Sequence, residues 1–252
     1  MHPQVSIIVP TFREADNLRE LVSRTTKALV AENLRGEIII MDDDSRDGTD
    51  LVCDALQNDY PVVLETRRGE RGLATAVLHG LKKARGQMLV VMDADLSHPP
   101  EAIPEIVDAL QSGAEMVVGS RYVKGGKTDN DWGVLRWLNS KAASLLAWPL
   151  TTIKDPMAGF FAIHKRTLSR CNGLDPIGYK IGLELLVKCD CRLVVEVPIH
   201  FTDRKRGESK LTLREQWNYL THLHRLYTFK FRESRQRRPI APAFTQNTGQ
   251  EY

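Results

Sequence analysis

Several things are scarce in this sequence, and each scarcity removes a class of protein. No run approaches the roughly 18 apolar residues of a membrane-crossing helix. The densest apolar patch, LLAWPL (145–150), is short and lies between lysines, so no transmembrane helix is expected. The N-terminus lacks a basic segment followed by an apolar one, so no secretory signal is expected. Cysteine occurs four times, as Cys53, Cys171, Cys189 and Cys191, with no histidine spacing that completes a zinc pattern. These read as reduced thiols in a cytoplasmic protein. The first strand-like run is followed by PTFREADN, not by a glycine fingerprint, and no GxxxxGK[ST] loop occurs. Dinucleotide binding of the Rossmann type and P-loop phosphotransfer are therefore not expected. There is no internal repeat and no low-complexity block.

What is present fits a soluble globular chain of 252 residues, with 42% hydrophobic and 27% charged residues. The net charge of +3 is uneven. Residues 200–252 carry 11 Lys/Arg and 5 Asp/Glu, whereas the rest carries 24 and 27. A basic C-terminal part on a near-neutral body points to an anionic partner: phosphate, a membrane surface or nucleic acid.

The pattern along the chain alternates strand and helix. VSIIVP (5–10), EIIIMDDDS (37–45), PVVLETR (61–67), MLVVMD (88–93) and EMVVGS (115–120) read as strands. Helices are expected at Glu14–Ala31, Asp50–Gln57, over 69–86 with Gly86 closing it, and at Glu101–Gln111. This order is the signature of a mostly parallel central sheet with helices on both faces. Beyond Gly119 the rhythm changes. RYVKGGKTDNDWG (121–133) reads as a loop and Val134–Ala147 as a helix. MAGFFAIHKRTL contains a strand and the start of a helix, GYKIGLELLVKC is a helix, LVVEVPIHF (193–201) is one strand, and DRKRGESKL (203–211) is a basic loop. A last amphipathic helix is expected over 212–233 and a loose tail over 234–252, leaving 1–211 as the catalytic unit.

Three strand ends carry acids. LVVMDADLSHPP places Asp93 and Asp95 at i, i+2, on one side of an extended segment. Two adjacent carboxylates repel unless a cation lies between them, and a divalent metal carrying phosphate oxygens satisfies that requirement. The bland alternative is a polar strand end with a helix cap. Asp42, Asp43 and Asp44 close the second strand, and Pro10, Phe12 and Glu14 follow the first. In a parallel sheet these ends share one rim, where ligands bind in open α/β folds.

VSIIVPTFREADNL, EIIIMDDDSRDGT, GLATAVLHGLKKARG and VVMDADLSHPPEAIPE together resemble glycosyltransferase family 2, of the GT-A fold. GSRY, LRWLNSKAASLL, DPMAGFFAIHKRTL, GYKIGLELLVK and DRKRGESKL make the chain similar to its dolichol-phosphate and polyprenol-phosphate mannose synthases. The resemblance runs from about Val5 to Leu211. It implies nucleoside contacts at Pro10, Phe12 and Glu14, with Phe12 standing where the family often has tyrosine. It implies base recognition at Asp43 with Asp42 beside it, and a metal and diphosphate site at Asp93 and Asp95 binding Mg²⁺ or Mn²⁺. Ser97, where relatives carry glutamine or serine, is the third candidate on the metal side. Arg121, Arg136, Ser140 and Arg204 match groups that hold the acceptor phosphate, and Lys180 matches a lysine near the sugar nucleotide. Arg136 and Ser140, at i, i+4, share one helix side, as a phosphate clamp requires.

The implied reaction is inverting transfer of mannose from GDP-mannose to dolichyl or polyprenyl phosphate, giving a β-linked product. Transfer of glucose from UDP-glucose to the same lipid class, or transfer to a non-lipid acceptor, remains an alternative. The implied partners are a nucleoside diphosphate sugar, a polyprenyl phosphate, an anionic membrane surface and, as the resemblance allows, a membrane-anchoring partner subunit. The implied location is cytoplasmic, peripheral on the cytoplasmic face of a membrane. Trp217, Leu220, Tyr227 and Phe231 fall at helical spacing among arginines, an interfacial composition, although packing on the body is the competing role for the helix up to Tyr227. Nucleic acid is not expected as a partner, because acids at three strand ends repel a phosphate backbone. His98, His164 and His200 read as structural.

Overall fold

The computed structural model describes residues 2–129, 134–171, 173–175, 177–202 and 213–236; at 134–140, 213–215 and 234–236 it describes the backbone alone. The first half runs β1 (Val5–Thr11), α1 (Ala15–Ala31), β2 (Gly36–Asp42), α2 (Thr49–Leu56), β3 (Val62–Thr66), α3 (Leu73–Lys83), β4 (Met88–Val91), α4 (Ile103–Gln111) and β5 (Met116–Ser120). A 3₁₀ turn at Pro100–Ala102 leads into α4, because proline at a helix start forfeits no hydrogen bond. The second half holds β6 (Lys127–Thr128), α5 (Val134–Ala147), β7 (Phe161–His164), α6 (Lys165–Leu168), α7 (Ile181–Lys188), β8 (Val194–Pro198), β9 (His200–Phe201) and α8 (Leu213–Gln236).

Seven strands form the main sheet in the order β3-β2-β1-β4-β7-β5-β8. All neighbours are parallel except at β7, which runs antiparallel to both β4 and β5. The central strands are apolar at nearly every position because both faces are covered. Ile7, Val9, Ile38, Ile40 and Val90 pack under α1, α2 and α4, while Ile8, Ile39, Met41, Leu89 and Val91 pack under α3 and α7. The sheet is mixed α/β with helices on both faces, as the sequence pattern leads one to expect.

Four expectations are corrected. The strand expected over 193–201 divides at Ile199: β8 joins the main sheet, and β9 pairs with β6 in a separate two-stranded sheet. The stretch after Arg121, read as loop, supplies β6. Gly86 does not close α3, which ends at Lys83 with Ala84 as its cap. A Cβ at Gly86 would lie 2.8 Å from the backbone N of Ser6, so glycine is required there by close approach of the chain to β1. Finally, Cys171 and Cys189 are not separate thiols but form a disulfide across 18 residues, with Cα atoms 4.4 Å apart. Cys171 follows α6 and Cys189 caps α7, and both pack on one apolar cluster; that meeting is tertiary and has no spacing signal. Cys53 and Cys191 are free, and burial pushes both thiols up to about 12.

The first half of α8 packs on the body, as its competing role required. Leu223 and Leu226 join Ala147, Leu150, Met157 and Leu183 in a third apolar cluster. The attachment also continues past Tyr227. The Tyr219 hydroxyl donates to the Ala143 carbonyl and the Tyr227 hydroxyl to that of Leu146, each at 2.6 Å, and Lys230 Nζ donates to the Pro149 and Leu150 carbonyls at 3.0 Å. The opposite side of α8 is left to solvent.

Candidate active site

Parallel register brings the acidic strand ends together. Thr11 pairs with Asp42 and Ile8 with Val91, so Pro10, Phe12, Asp42, Asp43 and Asp93 rise on the same edge of the sheet. The loops after β1 and β2 are knitted by side chains. Arg13 N–H donates to Ser45 Oγ at 2.9 Å, and Ala15 N–H donates to Asp47 Oδ2 at 3.2 Å. Burial pushes the Asp47 carboxyl upward, but hydrogen bonds from Thr49 and the Ala15 backbone outweigh it and hold it below its usual value. Glu14 accepts from Asn17 Nδ2 at 2.6 Å, which orients it at the start of α1.

Asp43 is tightly held. Its Oδ1 accepts from Arg67 Nε at 2.7 Å and lies 2.6 Å from Arg67 Nη2, and its Oδ2 accepts from Gly72 N–H at 2.8 Å. Both side chains are buried. Asp42 turns to Ser45, whose hydroxyl and N–H both donate to it. Asp43 thus anchors the loop carrying Arg68 and Arg71. The Arg71 guanidinium lies 4.9 Å from the Phe12 ring centroid and that of Arg13 5.2 Å, so Phe12 presents an aromatic face flanked by cations.

The Asp93–Asp95 loop is shaped by strain. Leu96 has φ +62°, a conformation rare for a bulky residue. Its side chain is buried, and its carbonyl accepts from Thr202 Oγ1 at 3.1 Å. This reversal lets Ser97 N–H and hydroxyl donate to Asp95 Oδ1 at 3.1 and 2.6 Å. Ser97 therefore orients Asp95. His98 is buried, stacks on Phe160 and meets Phe201 edge-on. Its Nδ1 accepts from Asp93 N–H at 3.1 Å, which fixes the Nε2–H tautomer. Burial lowers its pKa despite nearby Asp93 and Asp95, so the ring is a neutral brace, as the sequence suggested. A Cβ at Gly159 would sit 3.3 Å from Asp93 Oδ2, so glycine there avoids crowding that carboxylate.

Arg121, at the end of β5, is gripped by Asp155, which sequence reasoning passed over although it lies in the quoted DPMAGFF segment. Glu196 on β8 in turn accepts from Lys154 and Asp155 N–H at 2.8 and 3.0 Å. Lys180 caps the start of α7 and donates to the Met157 carbonyl at 3.3 Å, beside the loop that abuts Asp93. Arg136 and Ser140 lie one turn apart on α5, and their side chains are outside the described residues, as is all of Arg204. Lys141, the residue after Ser140, reaches the ring of Tyr122, which adjoins Arg121. The structure thus gathers the expected donor-side residues and Arg121 at one rim. Asp155, Arg67, Tyr122 and Lys141 went unnoticed because their parts are played through tertiary contacts.

The donor set at Asp93, Asp95 and Ser97 is all hard oxygen. No group of three or more His, Cys, Asp or Glu suited to holding a metal occurs among the described residues. Two carboxylates at a rim open to substrate fit Mg²⁺ or Mn²⁺, which take one or two protein carboxylates and complete their shell with water and phosphate.

A parallel sheet interrupted by one antiparallel strand, with paired carboxylates on its carboxyl rim, defines a mixed α/β protein of GT-A architecture. The family model for glycosyl transferase family 2 matches residues 6–171, and the chain belongs to that family. It is 47% identical to the dolichol-phosphate mannosyltransferase of Pyrococcus furiosus over 88% of its own length and 63% of that protein's; it therefore spans less than two thirds of this relative. It is 42% identical to the dolichol-phosphate mannosyltransferase of Saccharomyces cerevisiae, covering 92% of this chain and 90% of the yeast protein. Among solved structures it resembles glucosyl-3-phosphoglycerate synthase from Mycobacterium tuberculosis, in complex with Mn²⁺, UDP and glucosyl-3-phosphoglycerate. That likeness has a TM-score of 0.65 and 18% identity, covering 90% of this chain and 80% of the other; at that identity it concerns the fold.

Proposed function

We propose that the chain transfers mannose from GDP-mannose to dolichyl or polyprenyl phosphate, with inversion at the anomeric carbon. The observation that carries this is the meeting, on one rim, of the Asp93–Asp95 pair with Arg121 and the end of β5 to which α5 is tied. The names of relatives 42–47% identical supply the sugar and the lipid. In this reading residues 1–211 are the catalytic unit, α8 is its membrane-facing arm, and 234–252 form a tail.

Phe12 offers its face to the base, Asp43 and the loop it anchors line the base edge, and Lys180 lies on the donor side. Asp93 and Asp95, the latter oriented by Ser97, would hold Mg²⁺ or Mn²⁺. Such an ion, when bound, offsets charge gathering on the departing diphosphate. Arg121, Arg136, Ser140 and Arg204 would bring the acceptor phosphate alongside. A phosphate monoester has its second ionisation near pH 6, so the acceptor arrives as a nucleophile, and no side chain need remove a proton from it. One displacement from the face opposite the diphosphate gives the β-linked product.

No helix among the described residues is long and apolar enough to cross a membrane. We read the route to a lipid acceptor as peripheral, because the solvent side of α8 exposes Trp217, Leu220 and Phe231 beside basic residues, a composition suited to the cytoplasmic face of an anionic bilayer. A membrane-anchoring partner subunit would serve the same end.

One observation favours a second donor. Arg67 and Gly72 take three of the roughly four acceptor sites of the Asp43 carboxylate. What remains suits one N–H, which uracil supplies as well as guanine, so glucose transfer from UDP-glucose is the rival. Incubation with GDP-mannose or UDP-glucose and a short polyprenyl phosphate, followed by mass spectrometry of the lipid fraction, decides. A mannosyl phosphate lipid is expected. Glucosyl product alone would overturn the donor, and no lipid product from either donor would overturn the acceptor.

A further inference from the structure

Thr202 follows β9 and reaches the loop of Asp93 and Asp95 at two consecutive peptide groups. Its Oγ1 donates to the Leu96 carbonyl at 3.1 Å, and its N–H donates to the Ser97 carbonyl at 3.2 Å. The loop it touches is the one in which Leu96 takes φ +62°, a left-handed conformation that a leucine keeps only when its surroundings hold it there.

The peptide group between Leu96 and Ser97 is planar and trans, so its C=O and N–H point in opposite directions. Thr202 Oγ1 grips the C=O edge. The N–H edge donates to Asp95 Oδ1 at 3.1 Å, and the Ser97 hydroxyl joins it there at 2.6 Å. Turning this plane would turn the N–H away from the carboxylate. The buried Leu96 side chain anchors the turn in the core, but apolar packing is non-directional, whereas a hydrogen bond to the carbonyl selects the plane. Phe201, the preceding residue, backs the other carboxylate. Its ring meets His98 edge-on at 5.5 Å between centroids, and His98 Nδ1 accepts from Asp93 N–H at 3.1 Å. The strand behind both residues is itself fixed: β9 pairs with β6, Asp129 N–H donates to the Phe201 carbonyl at 3.2 Å, and His200 Nε2 lies 2.8 Å from Asp129 Oδ1.

We infer that Thr202 is a positioning residue for the divalent cation: its hydroxyl fixes the peptide between Leu96 and Ser97 and so holds the Asp95 carboxylate in the orientation that receives the ion. The inference rests on the metal reading proposed above. It gives the end of β9 a part in donor binding.

Titration calorimetry of the full chain with GDP and with UDP, each in Mn²⁺ and again in EDTA without metal, tests this role; whichever nucleotide binds is the probe. Partners of metal-ligating carboxylates are worth 10–100-fold in metal affinity, and Thr202 acts one peptide group farther out, so Thr202→Val should weaken binding of the Mn²⁺–nucleotide complex about tenfold. Affinity for the metal-free nucleotide should be unchanged, which a general loss of structure would not allow. The Thr202 N–H bond survives in each variant, so the comparison isolates the hydroxyl. Thr202→Ser keeps that hydroxyl and should stay within about twofold of wild type. If Thr202→Val does not fold, Thr202→Ala removes the same group and carries the comparison. If Mn²⁺ strengthens the binding of neither nucleotide to the wild type, the metal reading falls and this inference with it. If Mn²⁺ strengthens wild-type binding and the hydroxyl-free variant matches wild type, loses equally with and without metal, or does no worse than Thr202→Ser, the positioning role alone is overturned.

Discussion

Asp155 holds Arg121 in a two-pronged ion pair: Nε donates to Oδ2 at 2.8 Å, Nη2 donates to Oδ1 at 2.7 Å, and the Arg121 backbone N–H adds a third bond to Oδ2 at 3.0 Å. Asp155 is fully buried. Burial alone would push the Arg121 guanidinium pKa down, but Asp155 outweighs it and the net shift is upward. The cation is therefore permanent and aimed. Removing one partner of such a pair leaves a buried charge uncompensated, at a cost of about 3–5 kcal/mol. Asp155→Ala should lose stability on that scale in urea denaturation, and its transferase activity should fall with it. A stability within about 1 kcal/mol of wild type would show that Arg121 finds its place without Asp155.

Asp95 is oriented by Ser97, which donates twice to its Oδ1. Asp95→Asn keeps the shape and removes the charge. A loss of at least about 100-fold in turnover is expected, roughly the 2.7 kcal/mol of one strong charge-stabilising element. Chelation of Mg²⁺ and Mn²⁺ should abolish transfer in the wild type. Calorimetry with GDP should show binding that depends on added metal in the wild type and loses that dependence in Asp95→Asn. Full activity under chelation would end the metal proposal.

Elements whose signal is local were legible in the sequence. Apolar runs and helical periodicities marked every parallel strand of the main sheet, and Val134–Ala147 appears as α5 with the expected ends. Acids at strand ends marked the rim before any sheet order was known, because parallel pairing puts like ends together. What escaped depends on contacts between distant segments. Nothing near Cys171 announces Cys189. Nothing in PVVLETR tells that Arg67 folds back on Asp43. A single extended run at 193–201 conceals the change of sheet at Ile199, since backbone pairing, not composition, decides it.

Glu184 is fully buried on α7, where it ties α8 to the body. Its Oε1 accepts from Lys188 Nζ at 2.6 Å and Asp175 N–H at 2.8 Å, and its Oε2 lies 3.3 Å from His222 Nε2. Burial raises its pKa, but contacts with His222, Lys188 and the Asp175 backbone outweigh it and the net shift is downward. A carboxylate with a lowered folded pKa contributes stability above its ordinary value near 4.5, and that contribution is lost as pH falls through the folded value. Glu184→Gln should therefore be less stable than wild type at neutral pH, by about 3 kcal/mol. The difference should shrink under more acidic conditions. Melting curves from pH 7 to pH 3 would check this; a difference independent of pH would assign the loss to packing.

The solvent side of α8 makes the last prediction. Trp217, Leu220, His224, Tyr227 and Phe231 recur at helical spacing along one strip, with Trp217 71% and Phe231 59% exposed. Leu145 and Trp148, at the end of α5 and the turn after it, are 67% and 69% exposed. The Tyr227 hydroxyl bond to the Leu146 carbonyl joins the two segments, so the apolar side chains can act as one surface. Burying one such side chain fully is worth about 1.5–3 kcal/mol, and a ring sunk halfway into a headgroup layer about half that. Replacing Trp217 and Phe231 together by Ser should weaken cosedimentation with anionic vesicles by about 2 kcal/mol, or roughly 30-fold. Neither ring joins the apolar cores, so the melting temperature should hold. Binding should also fall as salt is added, because Lys230, Arg232 and the other basic residues of this segment meet the anionic headgroups through a screened field. Equal binding to neutral and anionic vesicles would remove the basic contribution. No binding to vesicles at low salt would remove the membrane proposal and leave a protein subunit as the surface that covers this strip.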